Sequence, residues 1–227
     1  MTGRVILVTG AASGIGAALA KTLSAEDGCC LLLHTRASVE KLEEVSAQCQ
    51  DNGAVVETAL ADLAEVGAAK SLVDACVEKF GRLDCVVANA GHADSTPLEE
   101  INAGAFQLMF ATMAQSFLEL AQAALPLLRQ SAAPRVVAVS SFIAHRYEEG
   151  ALFVSSAAAK AALESVVRTL ARVAAPDRIP VNIVVRPYCN HAATTSALSC
   201  MPVCAFWSFH ANSFGHCRRQ GTSRKIR

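Results

Sequence analysis

Three glycines directly follow the apolar run Val5–Thr9 in a Gly-x-x-x-Gly-x-Gly pattern, namely Gly10, Gly14 and Gly16. The run predicts a buried strand, and the glycines predict a tight turn that opens a helix and lets the main chain approach a ligand. Because free N–H groups at a helix N-terminus attract anions, the turn favours a dinucleotide pyrophosphate over an ordinary strand-to-helix connection. The predicted binding residues here are Gly10, Ser13, Gly14, Ile15 and Gly16.

The residue about twenty positions beyond such a turn indicates which dinucleotide is preferred. Here Cys29–Thr35 predicts the second strand, and Arg36 follows it. An acid at this place would bind the ribose hydroxyl of NAD, whereas an arginine suits the 2′-phosphate of NADP. Arg36 therefore favours NADP, with NAD as the weaker candidate. The alternative is a solvated loop charge, since His34 adds no second positive group.

The composition is typical of one globular domain. The chain has 227 residues, of which 52% are hydrophobic, and a formal net charge of zero. This length and apolar content suffice for a sizeable core, and the zero net charge disfavours nucleic acid and membrane surfaces as partners. We recognise no charged and apolar leader and no apolar run of membrane-spanning length, so we predict a cytoplasmic protein.

Nine cysteines are a high count for this length. Cys29, Cys30, Cys76 and Cys85 fall in predicted strands or helices, where cysteine behaves as a small apolar residue. We predict reduced core thiols there, because the odd total argues against a disulfide framework. The C-terminal segment adds cysteines and histidines without a regular ligand spacing, so we predict no metal site.

Strand and helix patterns alternate along the chain with short connections. The alternation predicts an α/β fold, a Rossmann-like doubly wound parallel sheet in a single domain. The predicted strands are Val5–Thr9, Cys29–Thr35, Val55–Ala59, Cys85–Asn89, Arg135–Ser140 and Val181–Val185. The predicted helices are Gly14–Ser24, Val39–Gln50, Ala64–Phe80, Ala103–Arg129 and Phe153–Ala174. Ligands bind such sheets beyond the carboxyl ends of the strands. The candidate residues at those ends are Gly10, Arg36, Asp62, Asn89, Ser141 and Arg186.

Several motifs together resemble those of the short-chain dehydrogenase/reductase family, over residues 4–188. The glycine turn is similar to the family's cofactor turn, and Asp62 in Ala61-Asp62-Leu63 matches the acid that contacts the adenine. The run Asn89-Ala90-Gly91 is similar to the motif that supports the sheet and lines the cofactor site. The resemblance implies an NAD(P)-binding domain at residues 1–190 and hydride transfer to or from a carbonyl or enoyl substrate.

The resemblance also implies a catalytic serine, tyrosine and lysine. Ser141 matches the serine that polarises the carbonyl, and Lys160 matches the lysine that binds the nicotinamide ribose and lowers the pKa of the tyrosine. The tyrosine is missing. Ser156 occupies the Tyr-x-x-x-Lys position, and Phe153 occupies the Tyr-(x)6-Lys position of some enoyl-acyl-carrier-protein reductases. Neither side chain donates a proton near neutral pH, so reduction is predicted to be slow or absent.

Two further positions concern proton transfer. Tyr147 follows Ser141 in the next connection, and its phenol is a candidate replacement for the missing one, the alternative being packing at the rim. Met113 stands near the place where the resemblance implies an asparagine of a proton relay, and a thioether cannot relay protons.

Residues 191–227 depart from the family pattern. They are rich in Cys, Ser and His, and no clear amphipathic helix or final strand is recognised. We predict that the family's last strand and substrate-covering region are altered or missing, and that this tail is disordered or loosely packed.

Three functions remain open. The first is an NADP(H)-dependent oxidoreductase with impaired catalysis, and the second is a dinucleotide-binding or partner-binding protein without catalysis. The third is a truncated product of a gene of this family. The resemblance implies a small-molecule substrate and a homodimer or homotetramer.

Overall fold

Eight strands form one sheet in the computed structural model, which describes residues 3–146 and 152–186 and the backbone of two strands at 205–209 and 219–220. The strands are β1 Val5–Thr9, β2 Cys30–Thr35, β3 Val55–Leu60, β4 Cys85–Ala88, β5 Arg135–Ser141, β6 Val181–Arg186, β7 Ala205–Phe209 and β8 Arg219–Gln220. The α-helices are α1 Gly14–Leu23, α2 Val39–Asp51, α3 Ala68–Phe80, α4 Ala103–Phe110, α5 Ser116–Leu128 and α6 Val154–Ala174.

The spatial order of the strands is β3-β2-β1-β4-β5-β6-β7-β8, and β1 to β6 run parallel. The chain moves outward from β1 to β3 and then returns to place β4 on the other side of β1. Ligands bind at such a reversal of strand order, so the carboxyl ends of β1 and β4 are the expected site. The predicted doubly wound parallel sheet is confirmed.

Helices cover both faces of the sheet, and this explains why its central strands are apolar throughout. Every residue of β1 and β2 is buried. On one face the core includes Ala17 of α1 and Leu42 of α2; on the other it includes Leu72 of α3, Phe117 of α5 and Leu163 of α6. Strands buried on both faces read as continuous apolar runs, which is the pattern of a parallel sheet.

Two helices differ from their predicted course. The helix predicted to begin at residue 64 begins at Ala68, because Gly67 before it adopts a left-handed conformation with φ 87°. The helix predicted over 103–129 is continuous but contains a π-helical turn, Ala111–Gln115, between α4 and α5. Such turns are frequent at functional sites.

The continuous helix Ala103–Leu128 corrects another expectation. It has 26 residues with a mean hydropathy of 1.2, so an apolar run of membrane-spanning length does exist in the described part of the chain. A single helix of this length and hydropathy is weak evidence for a membrane span, because buried core helices of globular proteins have the same properties. Here Phe117, Leu120, Ala124 and Leu128 are each only 1% exposed and pack into the core.

The sheet continues beyond β6, which the sequence did not predict. The strand β7 pairs with β6, and β8 pairs with β7, both in antiparallel orientation. A final strand is therefore present at this edge, in altered form. The remaining residues of the predicted tail lie outside the described residues, so its loose packing stays a prediction.

The cysteines of the described segments are buried, namely Cys29, Cys30, Cys49, Cys76 and Cys85. Burial raises the pKa of Cys29 to about 11 and those of Cys76 and Cys85 to about 12, so these thiols stay protonated. The prediction of core thiols is confirmed for the four cysteines that it named. The described residues hold no group of three His, Cys, Asp or Glu side chains that could bind a metal ion.

Asp84, directly before β4, is a buried carboxylate that connects three segments of the chain. It accepts hydrogen bonds from the backbone N–H of Val5 (2.8 Å), the guanidinium of Arg82 and the hydroxyl of Ser131. Burial raises the pKa of Asp84, but these hydrogen bonds outweigh burial and hold that pKa below its usual range.

We expect Asp84→Asn to lower the free energy of unfolding by about 1.5–3 kcal/mol, the usual contribution of a hydrogen bond to a charged group. The pKa of Asp84 is lower in the folded state than in the unfolded state. This stabilisation is therefore present above the pKa of the unfolded state and is lost as the pH falls through the pKa of the folded state. Urea unfolding at neutral and acidic pH measures both effects. Asp74→Asn, at an exposed carboxylate, is the control, and equal losses in the two variants would contradict the assignment.

Candidate functional site

A cleft of about 390 Å³ opens at the carboxyl ends of the parallel strands, beside the reversal of strand order. Most of the predicted site residues of the described chain line it. These are Gly10, Ser13, Gly14, Ile15, Asn89, Ala90, Gly91, Ser141 and Lys160. Arg186, predicted to lie at the carboxyl ends of the strands, also lines the cleft. The lining further includes Thr35, Ser38 and His92, for which the sequence predicted no role. Gly16, Arg36 and Asp62 do not line the cleft.

The glycine turn needs glycine at two positions for different reasons. Gly10 has φ +67°, and a Cβ there would lie 2.9 Å from the Cα of Ala90. A Cβ on Gly16 would lie 2.2 Å from the carbonyl oxygen of Gly10 and 2.6 Å from Nδ2 of Asn89. Gly16 thus lies behind the cleft and sets the contact of α1 with the turn. Ser13, Gly14 and Ile15 line the cleft, so the N-terminus of α1 faces it. The side chain of Ser13 makes no capping hydrogen bond to the first N–H groups of this helix.

Asn89 fixes the glycine turn from the neighbouring strand. Its Nδ2 donates to the carbonyl oxygens of Thr9 and Gly10, each at 3.0 Å. In return, Oγ1 of Thr9 accepts the backbone N–H groups of Asn89 (3.0 Å) and Ala90 (3.1 Å). These four bonds join the ends of β1 and β4, so the turn and the Asn89–Gly91 segment form one rigid wall of the cleft.

Arg36 and Asp62 follow the neighbouring strands β2 and β3. Arg36 is exposed, next to the cleft residues Thr35 and Ser38. Asp62 is partly buried, and its Oδ1 accepts the backbone N–H of Ala64 at 3.0 Å. Neither side chain lines the cleft, so their contact with the adenosine half of a dinucleotide stays a prediction.

His34 is a residue of this region that the sequence analysis did not select. Its ring is buried, with 2% exposure, between the glycine turn and the end of β3. Nδ1 accepts the backbone N–H of Gly10 at 3.4 Å, and Nε2 donates to the carbonyl oxygen of Ala61 at 2.9 Å. The feature of the sequence that could have identified His34 is a histidine near the end of an otherwise apolar strand.

Ser141 ends β5 inside the cleft. It is 6% exposed, and its hydroxyl has no hydrogen-bond partner among the described residues. Buried hydroxyl groups nearly always have a partner, so an unpaired one that lines a cleft is available for a ligand. Its neighbour Ser140 points the other way and donates to Oε1 of Glu164 at 2.6 Å.

Lys160 brings a positive charge into the same cleft from the second turn of α6. It is buried, and its Nζ donates to the carbonyl oxygen of Val139 at 2.7 Å. Burial, helped by the positive charge of Arg186 and opposed by Glu164, lowers the pKa of Lys160 to about 8. The ammonium group therefore titrates near neutral pH.

Ser156 and Phe153, the two candidate positions of the missing tyrosine, differ in their surroundings. Ser156 lies inside α6 one turn before Lys160, so the two residues share a helix face. It is fully buried, and its hydroxyl accepts the backbone N–H of Asp94 at 3.1 Å. Phe153 precedes the first residue of the helix.

The two remaining proton-transfer candidates are placed differently. Met113 lies in the π turn and is 2% exposed. Its side chain and Nζ of Lys160 both border Gly91: a Cβ added to that glycine would lie 3.3 Å from each of them. Met113 is therefore close to the lysine. Tyr147 lies outside the described residues.

Glu164 is a buried charged residue that supports the site from α6. Its Oε1 accepts hydrogen bonds from Ser140 and from Nε2 of His145 (2.9 Å), and its Oε2 lies 3.6 Å from Arg168. The carboxylate thereby fixes the end of β5 beside Ser141. The sequence analysis did not select Glu164. The feature that could have identified it is an acidic residue four positions after Lys160, on the same face of the helix.

Comparison with known proteins agrees with this geometry. The sequence profile described as short chain dehydrogenase matches residues 4–199. An uncharacterised oxidoreductase of Methylorubrum extorquens is 31% identical over 87% of this chain and 77% of its own length.

Two crystal structures with bound dinucleotides have a similar fold. A short chain dehydrogenase of Burkholderia cenocepacia in complex with NADP has a TM-score of 0.74 and 33% identity, over 79% of this chain and 72% of that one. An NADH-dependent reductase complexed with NAD has a TM-score of 0.76 and 28% identity, over 83% of this chain and 80% of that one. With the glycine turn, the Asn89 contacts and the doubly wound sheet in place, the chain belongs to the short-chain dehydrogenase family.

Proposed function

We propose that the protein is an NADP(H)-dependent oxidoreductase that acts weakly on a small carbonyl or enoyl substrate. The observation that supports this proposal most is the combination of groups in one cleft. A glycine-lined helix N-terminus, the ammonium group of Lys160 and the unpaired hydroxyl of Ser141 all line it. Nucleic acid, a membrane or a metal ion has no part in the proposal.

The residues of the cleft fit a dinucleotide. The turn before α1 keeps its conformation only while Gly10 and Gly16 carry no side chain, because a Cβ at either position would clash with the protein behind it. The backbone N–H groups of the turn suit the pyrophosphate. Lys160 and the Asn89–Gly91 segment would hold the nicotinamide half, and Asp62 and Arg36 the adenosine half. When bound, the nicotinamide supplies or accepts the hydride.

Ser141 would orient the substrate. Its buried hydroxyl can donate a hydrogen bond to a carbonyl oxygen, which holds that oxygen and stabilises negative charge as it develops there. Lys160 would keep a positive charge near the same oxygen while its ammonium is protonated, and this holds below a pH of about 8.

The weak activity follows from the missing phenol. Ser156 and Phe153 have no proton to give near neutral pH, and general acid catalysis contributes about 10²–10⁴-fold to such rates. Tyr147 remains a candidate donor in this proposal. The same absence favours a second function, a dinucleotide-binding protein without turnover, in which only the binding part of the site is used.

Arg36 is the basis of the proposed preference for NADP. We expect Arg36→Ala to weaken NADPH binding about tenfold, because a charge-assisted hydrogen bond to the 2′-phosphate contributes about 1.5 kcal/mol or more. The affinity for NADH, which lacks that phosphate, should be unchanged. Titration of the purified protein with each nucleotide, followed by nicotinamide fluorescence, measures both constants.

The matched control for this experiment is Arg172→Ala, at an exposed arginine on α6 that does not line the cleft. Equal loss of NADPH and NADH affinity in Arg36→Ala would refute the 2′-phosphate contact. If neither nucleotide binds the wild-type protein, the proposed oxidoreductase function is wrong.

Proteins of this family generally act on small molecules and form oligomers. We include a homodimer or homotetramer in the proposal, formed through the α4–α5 helix and α6. Partly exposed apolar side chains on these helices, among them Leu108, Leu118 and Val173, support such an interface.

A further inference from the structure

We propose that His34 is a positioning residue through which acidification weakens dinucleotide binding, because its neutral ring holds the glycine turn against the segment that follows β3. The inference rests on the proposed dinucleotide function. It rests structurally on one ring with two hydrogen bonds. Nδ1 accepts the N–H of Gly10, in the segment proposed for the pyrophosphate, and Nε2 donates to the carbonyl of Ala61, beside the residue proposed for the adenine.

The partners of the ring fix its protonation state. A backbone N–H can only donate, so Nδ1 must carry a lone pair toward Gly10, and a carbonyl oxygen can only accept, so Nε2 carries the proton. Protonation of Nδ1 would place two donors, Nδ1–H and the N–H of Gly10, against each other. The buried ring has no space to turn away, so the contact with Gly10 must be released.

The charges around the ring make the neutral form the stable one. Burial lowers the pKa of His34 below its ordinary value of 6.5, the bond to Ala61 opposes this, and the carboxylate of Asp62 opposes it less. The strand β1 and the glycine turn contribute no ionisable side chain. On the elements across from the ring, Glu57 of β3 pairs with Lys79 of α3 at 4.0 Å.

Three further charged groups belong to neighbouring segments of the chain. Lys70 and Asp74 of α3 pair with each other at 2.6 Å, and Arg36, two residues beyond His34, is exposed to solvent. The ring therefore stays neutral at neutral pH and becomes charged only under acidic conditions.

The release of Gly10 changes the geometry of the binding turn. Gly10 adopts φ +67° and packs against Ala90, so a small displacement of its peptide moves the N–H groups that face the cleft. One hydrogen bond of this kind corresponds to about a three- to tenfold change in Kd. The affinity for the dinucleotide should therefore be highest above about pH 6.5. It should decline as the pH falls through the pKa of His34 in the folded protein, which is lower than 6.5.

Calorimetric titration with NADP⁺ between about pH 8 and pH 5 tests the inference, because the oxidised nucleotide tolerates acid. The 2′-phosphate titrates in the same range, with a pKa of about 6, so wild type must be compared with His34→Gln. A glutamine amide accepts and donates like the neutral ring but does not titrate. We expect the ratio of the wild-type Kd to the Kd of His34→Gln to rise about three- to tenfold between pH 8 and pH 5, whatever the affinity of the variant at pH 8.

Parallel pH profiles for wild type and His34→Gln would overturn the inference while leaving the dinucleotide function intact. Absence of NADP⁺ binding at every pH would overturn the function itself, and the inference with it. The coupling between the His34 ring and Gly10 can also be measured in the absence of nucleotide. The NMR amide signal of Gly10 should then change with pH along with the titration of the His34 ring. A Gly10 signal that does not change with pH in this range would also overturn the inference.

Discussion

Ser156→Tyr is expected to raise the rate of NADPH-dependent reduction by about 10²–10⁴-fold, the usual contribution of a general acid. Ser156 lies one helical turn before Lys160, so a phenol there would stand next to an ammonium group. A nearby positive charge lowers the pKa of a phenol, and Lys160 remains protonated up to a pH of about 8. The rate can be followed by nicotinamide absorbance with a panel of small ketones, diketones and enones.

The larger side chain must displace the segment at Asp94, whose backbone contacts Ser156. Ser156→Phe is therefore the matched control, since it has the same ring and the same packing demand without the hydroxyl. A gain in both variants would show that the enlarged side chain acts by reshaping the cleft. A gain in Phe153→Tyr alone would assign the longer spacing, and no gain in either tyrosine variant would favour the non-catalytic binding protein.

Gly16→Ala is expected to weaken NADPH binding by about ten- to a hundredfold. The added Cβ would lie 2.2 Å from the carbonyl oxygen of Gly10, which is backbone and cannot rotate away. The turn must move, and overpacking of this kind typically costs about 1–3 kcal/mol. Asn89 bonds to that same carbonyl, so the displacement spreads to the second wall of the cleft. Fluorescence titration with NADPH gives the affinity, and circular dichroism checks that the variant is folded.

Gly104→Ala is the control for Gly16→Ala, because both glycines lie in the first turn or two of a helix. A Cβ on Gly104 would meet only a side-chain atom, Oδ1 of Asn102 at 3.3 Å, and no backbone atom. We expect its NADPH affinity to equal that of wild type. If Gly16→Ala also binds NADPH normally, the tight contact between α1 and the glycine turn has no role in forming the site.

The sequence predicted the sheet and the position of the cleft because both follow from one-dimensional patterns. Continuous apolar runs separated by helical periodicity require a parallel sheet with helices on both faces, and the glycine spacing marks the strand that carries the binding turn. The six parallel strands that it predicted are present, each with at least one end within one residue of its predicted position. The antiparallel β7 was missed because its segment shows no clear strand pattern.

Contacts between distant segments could not be predicted in the same way. Nothing local in the sequence indicates that Ser141 lacks a partner while Ser140 bonds to Glu164, because the choice depends on how α6 packs on β5. The same is true of His34, whose two partners come from β1 and from the loop after β3. The late start of α3 depended on the left-handed conformation of Gly67, which competes with a helical pattern that already begins at residue 64.

The π turn at Ala111–Gln115 has an evolutionary consequence for the long helix. Each residue of an α-helix rotates the next side chain by about 100° around the helix axis. The extra residue of the π turn therefore sets the direction in which the side chains of α4 point relative to those of α5. In this phase Met109 and Met113 pack with Ala159 of α6. A one-residue deletion within the turn would restore a uniform helix and swing the α4 face away from α6, although no other residue had changed. We therefore expect a change of length in the π turn to require compensating changes on α6.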